Sequence, residues 1–268
     1  MTVINDAPSR FVIRPLDVSH IEWVSAIFAH SHLFHNKAWR GWLPEKNLTA
    51  LAYEVLGTSD YLMRHQLESG YSLGMFDTEY QFKNPASAPN GGKLWWDPQD
   101  PHADGQRLLE QMDFPLVSIA LAYDSIHPLD PAGMAPLLVS LPPTKDIFGI
   151  LAALDPRDPA TWQATGPGQV LFRNATNTRA DYEGLGLMAK MAREMMFRSA
   201  EQGFRAIQIE CMNNPVTHVW SHPPPPFKGE VISEFQTKTY EEKDENGKMV
   251  AKLGLADQRM TKCYVTRR

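Results

Sequence analysis

The chain has 268 residues, of which 43% are hydrophobic and 21% are charged, and its formal net charge is −5. These values are ordinary for a globular protein that can bury a large core, and the acidic balance argues against a nucleic-acid partner. No apolar run has the length of a membrane span, and residues 1–6 lack the basic start and apolar segment of a secretory signal. We therefore expect a cytoplasmic protein that does not bind membranes, in which the only two cysteines, Cys211 and Cys263, are reduced.

The first predicted elements are a short strand and an amphipathic helix. Residues 11–15 have a strand pattern that ends at a proline. Asp17 or Ser19 is placed to cap the following helix. The apolar residues of that helix recur every three to four positions, at Ile21, Val24, Ile27 and Phe28.

Three histidines, His30, His32 and His35, follow this helix. Their spacings place the imidazoles on different sides of a helix, and no acidic residue or cysteine lies nearby, so we expect no metal site. Two interpretations stay open. The histidines belong to a partly exposed helix end, or they face a substrate together with Trp39 and Trp42.

The rest of the first half predicts regular elements separated by long loops. Two helices are predicted at residues 48–56 and 61–69, and three strands at residues 71–76, 116–123 and 170–172. The longest irregular segment is residues 82–115, and compact domains seldom hold so long a loop unless it is a lid or an insertion. Three more segments precede the last of these strands: residues 128–143 are interrupted by prolines, residues 148–154 are short and apolar, and residues 155–168 form a loop.

The most regular stretch begins at Asn174, and it contains a glycine turn followed by a helix. The turn passes through Gly184 and Gly186, and Gly203 is placed to end the helix. The predicted buried stripe of this helix is Leu185, Met188, Met191 or Ala192, Met195 and Ser199.

A strand and a second helix complete this stretch. Ile207, Ile209 and Cys211 alternate with polar residues, which predicts a strand. The sequence Asn213-Asn214-Pro215 is typical of a helix start, because an asparagine caps the helix and a proline is tolerated in its first turn.

The glycine turn is a candidate anion site. The first N–H groups of a helix lack partners within the helix and lie at the positive end of its dipole, so diphosphates bind there without a lysine. Gly184 and Gly186 have no side chains to keep a ligand from the backbone. An ordinary strand-to-helix turn can have the same residues. Neither the dinucleotide fingerprint nor the phosphate loop of nucleoside triphosphatases fits, because further residues that they require are missing.

The stretch also resembles a known family. The resemblance is carried by Tyr182-Glu183-Gly184-Leu185-Gly186-Leu187-Met188, the helix, the strand with Ile207 and Ile209, and Asn213. This series is similar to the acyl-CoA-binding core of the GNAT superfamily of acyltransferases. In that family an Arg/Gln-x-x-Gly-x-Gly/Ala turn holds the coenzyme A diphosphate.

Three positions depart from the family pattern. Glu183 stands where the family has Arg or Gln, and Met188 where it has Gly or Ala. Counting from Asn213, Trp220 falls where the family often has a tyrosine that protonates the leaving thiolate, with Ser221 beside it. A carboxylate beside a diphosphate is unfavourable unless it is neutralised.

The resemblance implies an α/β (α+β) fold with a central mixed, mostly antiparallel twisted sheet, flanked by helices and with long loop insertions in the first half. We predict a single domain over residues 1–268. Residues 11–168 would supply acceptor-side elements, residues 169–222 the acyl-CoA-binding core, and residues 227–268 the C-terminal strands. Residues 223–226 are a proline run, which is either a spacer that ends a helix or a ligand for a proline-binding module.

The function that the resemblance implies is acetyl transfer from acetyl-CoA, or another acyl-CoA, to a small-molecule acceptor by direct attack in a ternary complex. No metal is expected, and the oligomeric state stays open, with a homodimer as one option. The implied cofactor-binding residues are Thr176, Asn177, Thr178, Gly184, Leu185, Gly186, Leu187, Met188, Asn213 and Asn214. The catalytic candidates are Glu210, His32, Trp220 and Ser221. The alternative is a protein of the same fold, a metabolite-tailoring enzyme or a binding protein, that no longer transfers acetyl from CoA.

Overall fold

The computed structural model describes residues 10–43 and 46–267. The strands are β1 (Phe11–Pro15), β2 (Leu73–Asp77), β3 (Lys93–Leu94), β4 (Met112–Asp113), β5 (Leu116–Asp124), β6 (Val170–Thr178), β7 (Ala206–Cys211), β8 (Phe227–Gln236), β9 (Glu242–Lys243), β10 (Met249–Val250) and β11 (Arg259–Arg267). The helices are α1 (Ile21–His30), α2 (Lys37–Trp42), α3 (Leu48–Thr58), α4 (Asp60–Glu68), α5 (Gly105–Glu110), α6 (Pro131–Ser140), α7 (Pro143–Ala153), α8 (Pro159–Trp162), α9 (Leu187–Glu201) and α10 (Asn214–Ser221). Residues 1–6, from which we predict no secretory signal, lie outside the described residues.

Seven strands form one mixed sheet in the order β1-β2-β5-β6-β7-β11-β8. Neighbouring strands are antiparallel except β6 and β7, which are parallel. The predicted fold class, a mostly antiparallel central sheet flanked by helices, is confirmed. Within the described ranges, none of the helices combines the length and apolar character that crossing a bilayer requires.

Helices cover both faces of the sheet. On one face, α9 and α10 pack against apolar side chains of β5, β6, β7 and β11, including Ala122, Leu171 and Ile209. On the other face, α1, α3, α4, α6 and α7 form a second core with Ile119, Leu121 and other residues of the sheet. Because side chains alternate along a strand, a single strand such as β5 contributes to both cores.

The helix starts follow their capping residues. Asp17 accepts hydrogen bonds from the backbone N–H groups of the turn Val18–His20, which precedes α1. The Asn213 side chain accepts a hydrogen bond from the Val216 N–H at 3.0 Å, so Asn213 is the cap of α10. Asn214 is the first helical residue.

The predicted buried stripe of α9 was wrong at its first position, and its second residue, Met188, is only partly buried. Leu185 precedes the helix, and its side chain is 56% exposed. The stripe begins instead at Leu187, because the turn continues through Gly186, which is the N-cap residue of α9. The buried residues of α9 are Leu187, Met191, Ala192, Met195, Met196 and Ser199.

The interpretation of residues 128–143 as a proline-interrupted segment was also wrong, because α6 occupies most of it. Asp130 caps this helix through the N–H groups of Ala132 and Gly133, and Pro131 lies in its first turn. Pro136 lies inside the helix, where its missing N–H and its ring are normally destabilising. Packing of α6 against α3 and α4 compensates.

Candidate active site

The strands β6 and β7 separate halfway along the sheet. They are paired only from Val170 opposite Ala206 to Arg173 opposite Ile209. A bulge lies at the same level, since Leu121 and Ala122 of β5 pair with Ala175 and Arg173 and leave Asn174 unpaired. Because a bulge bends its strand, β6 turns away from β7. The opening between them is bordered by residues 174–178 of β6, which include the predicted binding residues Thr176, Asn177 and Thr178, and by residues 210–211 of β7.

The glycine turn lies at the start of α9. Gly184 and Gly186 have φ angles of 79° and 71°, which are left-handed and favour glycine. No side chain caps α9, and the first helical N–H with a main-chain acceptor within this turn is that of Lys190, which bonds the Gly186 carbonyl at 3.1 Å. The backbone N–H groups of Leu187 and Met188 are therefore available to an anion.

Of the two carboxylates near this turn, Asp181 is neutralised by a cation of the described ranges and Glu183 is not. The buried Arg179 donates to both oxygens of Asp181, at 3.1 and 2.8 Å, which compensates that carboxylate. Glu183 is exposed, and no cation of the described residues forms an ion pair with it. Lys190 is exposed one turn into the helix. The negative charge of Glu183 thus stands beside a site that is otherwise suited to an anion.

Arg173 lies where the strands separate, on the face covered by α9 and α10. Its side chain is 1% exposed, and its Nη1 donates to the Leu121 carbonyl at 2.5 Å, while Nη2 donates to the Thr176 hydroxyl. Its guanidinium carbon lies 5.6 Å from the centre of the Trp220 ring. Burial lowers the pKa of Arg173 to about 9. Thr176 is thus held through its side chain by Arg173.

Trp220 and Ser221 end α10 in different environments. Trp220 is fully buried, and its indole N–H has no partner among the described residues. The Ser221 hydroxyl donates to the Thr217 carbonyl at 2.7 Å and lies 2.9 Å from Nδ1 of His222. The Ser221 hydroxyl proton is therefore used in a hydrogen bond to the backbone of its own helix.

Glu210 lies on the opposite face of the opening. Its neighbours Ile209 and Cys211 pack toward α9 and α10, so Glu210 points to the other side of the sheet. Burial raises the pKa of the Glu210 carboxyl, and the positive charge of Lys262 opposes this rise. A hydrogen bond from the Gln208 amide at 3.2 Å also favours the carboxylate.

A buried cluster of charges adjoins Glu210. Asp155 receives two hydrogen bonds from the Arg157 guanidinium, at 2.9 and 2.7 Å, and one from Lys262 at 3.2 Å. Arg157 also donates to Gln208 at 3.0 Å. This network ties the loop after α7 to the sheet and fixes the cations that lie near Glu210.

His32 also reaches the opening. Its Nδ1 lies 2.9 Å from the Phe28 carbonyl, to which it donates, and 3.2 Å from the Asn177 amide on β6. Burial lowers the pKa of His32 to about 4, so its imidazole is neutral at physiological pH. Its Nε2 then carries the free lone pair.

Of the other two histidines, only His30 differs from the predicted partly exposed helix end. His30 is 1% exposed, and its Nε2 bonds the Gly105 carbonyl at 2.7 Å, whereas His35 is exposed. The reason is that the short helix α5 covers the end of α1. Across residues 10–43 and 46–267, no group of three or more acidic, histidine or cysteine side chains is arranged to hold a metal ion.

The structure thus places Glu210, Asn177 and His32 on one face of the opening and Trp220 on the other, with the glycine turn at the start of α9. Ser221 is turned away, and the Asn214 side chain accepts a hydrogen bond from Gln258 instead. Sequence reasoning missed Arg173 and Lys262. Arg173 could have been recognised from the sequence, because it is a charged residue in an apolar strand. It is two residues from Leu171 and so points to the same buried face of the sheet.

Solved structures of other proteins share the fold of this chain. The C-terminal condensation domain of Ebony, in complex with beta-alanyl-dopamine, matches with a TM-score of 0.62 and 16% identity over 95% of this chain and 98% of that chain. Arylalkylamine N-acetyltransferase 2 from Aedes aegypti matches with a TM-score of 0.60 and 10% identity over 95% and 97%. The polyamine N-acetyltransferase of Drosophila melanogaster matches with a TM-score of 0.50 and 12% identity over 96% and 100%.

At these identities the likeness concerns the fold, and this chain has the fold of GNAT-type acyltransferases. No protein-family model matches the sequence, and no curated protein matches it.

Proposed function

We propose that this protein is an acyl-CoA-dependent N-acyltransferase that acts on a small-molecule amine. The observation that carries the proposal is the opening between β6 and β7, with an anion-binding helix start toward one face and a carboxylate of raised pKa, Glu210, on the other. The names of the similar proteins, which refer to arylalkylamines and polyamines, support an amine acceptor.

On the side of α9, the chain would hold the diphosphate of the acyl-CoA. The N–H groups of Leu187 and Met188 would donate to it at the positive end of the helix dipole. Thr178 and its neighbours on β6 lie beyond the part of the strand that pairs with β7. Their main-chain groups on that edge would bind the pantetheine arm and polarise the thioester carbonyl. The thioester supplies an activated acyl group.

On the opposite face, Glu210 would act as the general base. A carboxylate whose pKa lies above its usual range is a better proton acceptor than an ordinary carboxylate. The neutral His32, held by Phe28 and adjacent to Asn177, is a second group that could receive the proton through its Nε2. We assign the role to Glu210, because a pKa of about 4 makes His32 a weak base.

Ligand binding tests the proposal most directly. Acetyl-CoA and free CoA should raise the melting temperature, since a ligand at a hundred times its dissociation constant stabilises the folded state by about 2.7 kcal/mol. Release of free thiol from acetyl-CoA should then depend on an amine, tested with a panel of arylalkylamines and polyamines. Absence of both stabilisation and thiol release would refute the proposal.

A second function is favoured by one observation. Among the described residues, Glu183 has no ion-pair partner beside the candidate anion site. This suits a protein that has given up acyl-CoA and binds or modifies another metabolite. Stabilisation by neither acetyl-CoA nor CoA would select this function.

A further inference from the structure

Arg173 carries a buried positive charge without a counter-charge. Its side chain is 1% exposed, and no carboxylate in the described part of the chain forms an ion pair with it. With a pKa of about 9 it remains protonated at neutral pH. A buried charge is costly unless a charge of opposite sign lies close to it.

The hydrogen-bond partners of Arg173 fix the orientation of its side chain but do not neutralise its charge. The carbonyls of Leu121 and Ala175, at 2.5 and 3.4 Å, and the Thr176 hydroxyl accept its Nη hydrogens. Its Nε is buried and has no hydrogen-bond partner within residues 10–43 and 46–267. Neutral acceptors satisfy hydrogen-bond donors, whereas the net charge stays uncompensated.

The neighbours across the opening do not supply a negative charge either. Trp220 presents the face of its ring to the guanidinium at 5.6 Å. Burial raises the pKa of the nearby Cys211 thiol, which keeps it neutral. The Cys263 thiol, whose pKa is lowered by its hydrogen bond with Cys211, lies on the next strand, β11, rather than beside Arg173. A ligand anion would therefore complete this site.

We infer that Arg173 stabilises the negative charge on the sulfur that leaves the acyl thioester, an inference that rests on the proposed function. The amine nitrogen forms a bond to the carbonyl carbon, the carbon–sulfur bond breaks, and its electron pair goes to the sulfur. Glu210 takes the amine proton. Arg173 keeps all its protons, and the thiolate is protonated later by water.

The presence of a tryptophan at position 220 agrees with stabilisation of the thiolate by Arg173. An indole donates a hydrogen bond but does not give up its proton usefully, so Trp220 cannot protonate the thiolate. A cation within about 4–6 Å lowers a thiol pKa, so Arg173 can stabilise the thiolate without transferring a proton. Trp220 then serves as a positioning residue that stacks on the guanidinium.

The test measures the ionisation of bound CoA. Free CoA labelled with carbon-13 next to its sulfur is titrated by NMR, alone and bound to the protein, so the protein cysteines do not contribute to the signal. An ordinary thiol has a pKa of about 8.5, and we expect the bound thiol to titrate about one to three units lower. In Arg173→Met it should titrate at or above the free value, and in Arg173→Lys part of the shift should return.

Arg198→Met is the matched control, because it removes an arginine from α9 that is ion-paired with Glu194 at the surface, and it should keep the wild-type shift. Arg173→Gln replaces Arg173→Met if the latter does not fold. An unshifted thiol in the wild type, or an unchanged shift in both neutral variants, overturns this inference and leaves the proposed function standing. Failure of the wild type to bind CoA overturns the proposed function and, with it, this inference.

Discussion

Glu210 and Lys262 are register partners on β7 and β11, one residue beyond the last pair between β6 and β7. Lys262 is 4% exposed and is held by Asp155 at 3.2 Å. Its charge therefore acts on Glu210 with little screening by solvent, and it lowers a carboxyl pKa that burial raises. The antiparallel pairing of two distant strands thus sets the ionisation of the proposed base.

Glu210→Gln should reduce amine-dependent thiol release by about 100- to 10,000-fold, the range for loss of a general base. The amide is nearly isosteric and cannot accept the amine proton, so CoA affinity should remain. Steady-state kinetics and CoA titration measure the two effects. His32→Gln is the comparison variant, and a larger loss in His32→Gln than in Glu210→Gln would move the proposed role to His32.

Lys262→Met should shift the acid limb of the kcat/KM profile to higher pH. Glu210 accepts a proton only when ionised, so activity falls as the pH drops through its raised pKa. Removal of the nearby cation raises that pKa further, because the positive charge of Lys262 lowers it. Lys262→Arg keeps the positive charge, so the acid limb should stay at the wild-type pH. If the acid limb does not move in Lys262→Met, the ionisation of Glu210 does not determine it.

Gly186→Asp should abolish CoA binding, because a side chain and a negative charge would enter the anion site. The left-handed backbone at this position, with φ of 71°, adds strain. Gly203→Asp is a matched control, since Gly203 has φ of 94° just after the other end of the same helix. Calorimetric titration with CoA measures the affinity, and equal affinity in the two folded variants would contradict the assigned site.

Glu183→Arg should bind CoA more tightly than the wild type, with an affinity that falls more steeply as salt is added. The change replaces an unpaired carboxylate beside the helix start with a cation, and the gained attraction is screened by ions. Glu201→Arg makes the same substitution at the far end of α9 and should leave CoA affinity unchanged. Weaker binding in Glu183→Arg would indicate a separate role for Glu183.

Ser221→Ala should keep most of its turnover. The Ser221 hydroxyl donates to the Thr217 carbonyl at 2.7 Å, so it is engaged by its own helix rather than by the opening. Turnover measured at saturating acetyl-CoA checks this expectation. A loss of about a hundredfold, with CoA affinity intact, is the size of a lost general acid and would assign that role to Ser221.

Local signals predicted the central elements of this fold well. The cap at Asn213, the glycine turn at Gly184 and Gly186, and the alternation around Ile209 each involve residues within a few positions of one another. Such features depend on backbone conformation and short-range hydrogen bonds. The position of Leu185 was predicted wrongly because periodicity does not define where a helix begins.

The sequence by itself determined the order of the elements, their caps and the glycine turn at the start of α9, because these follow from neighbouring residues. Only the tertiary structure decided that β6 separates from β7 after Arg173, and that Lys262 lies opposite Glu210. These relationships depend on strand pairing and on a bulge between segments about 50 residues apart or more. The burial of Arg173, and with it the charge that requires an anionic partner, results from that long-range pairing.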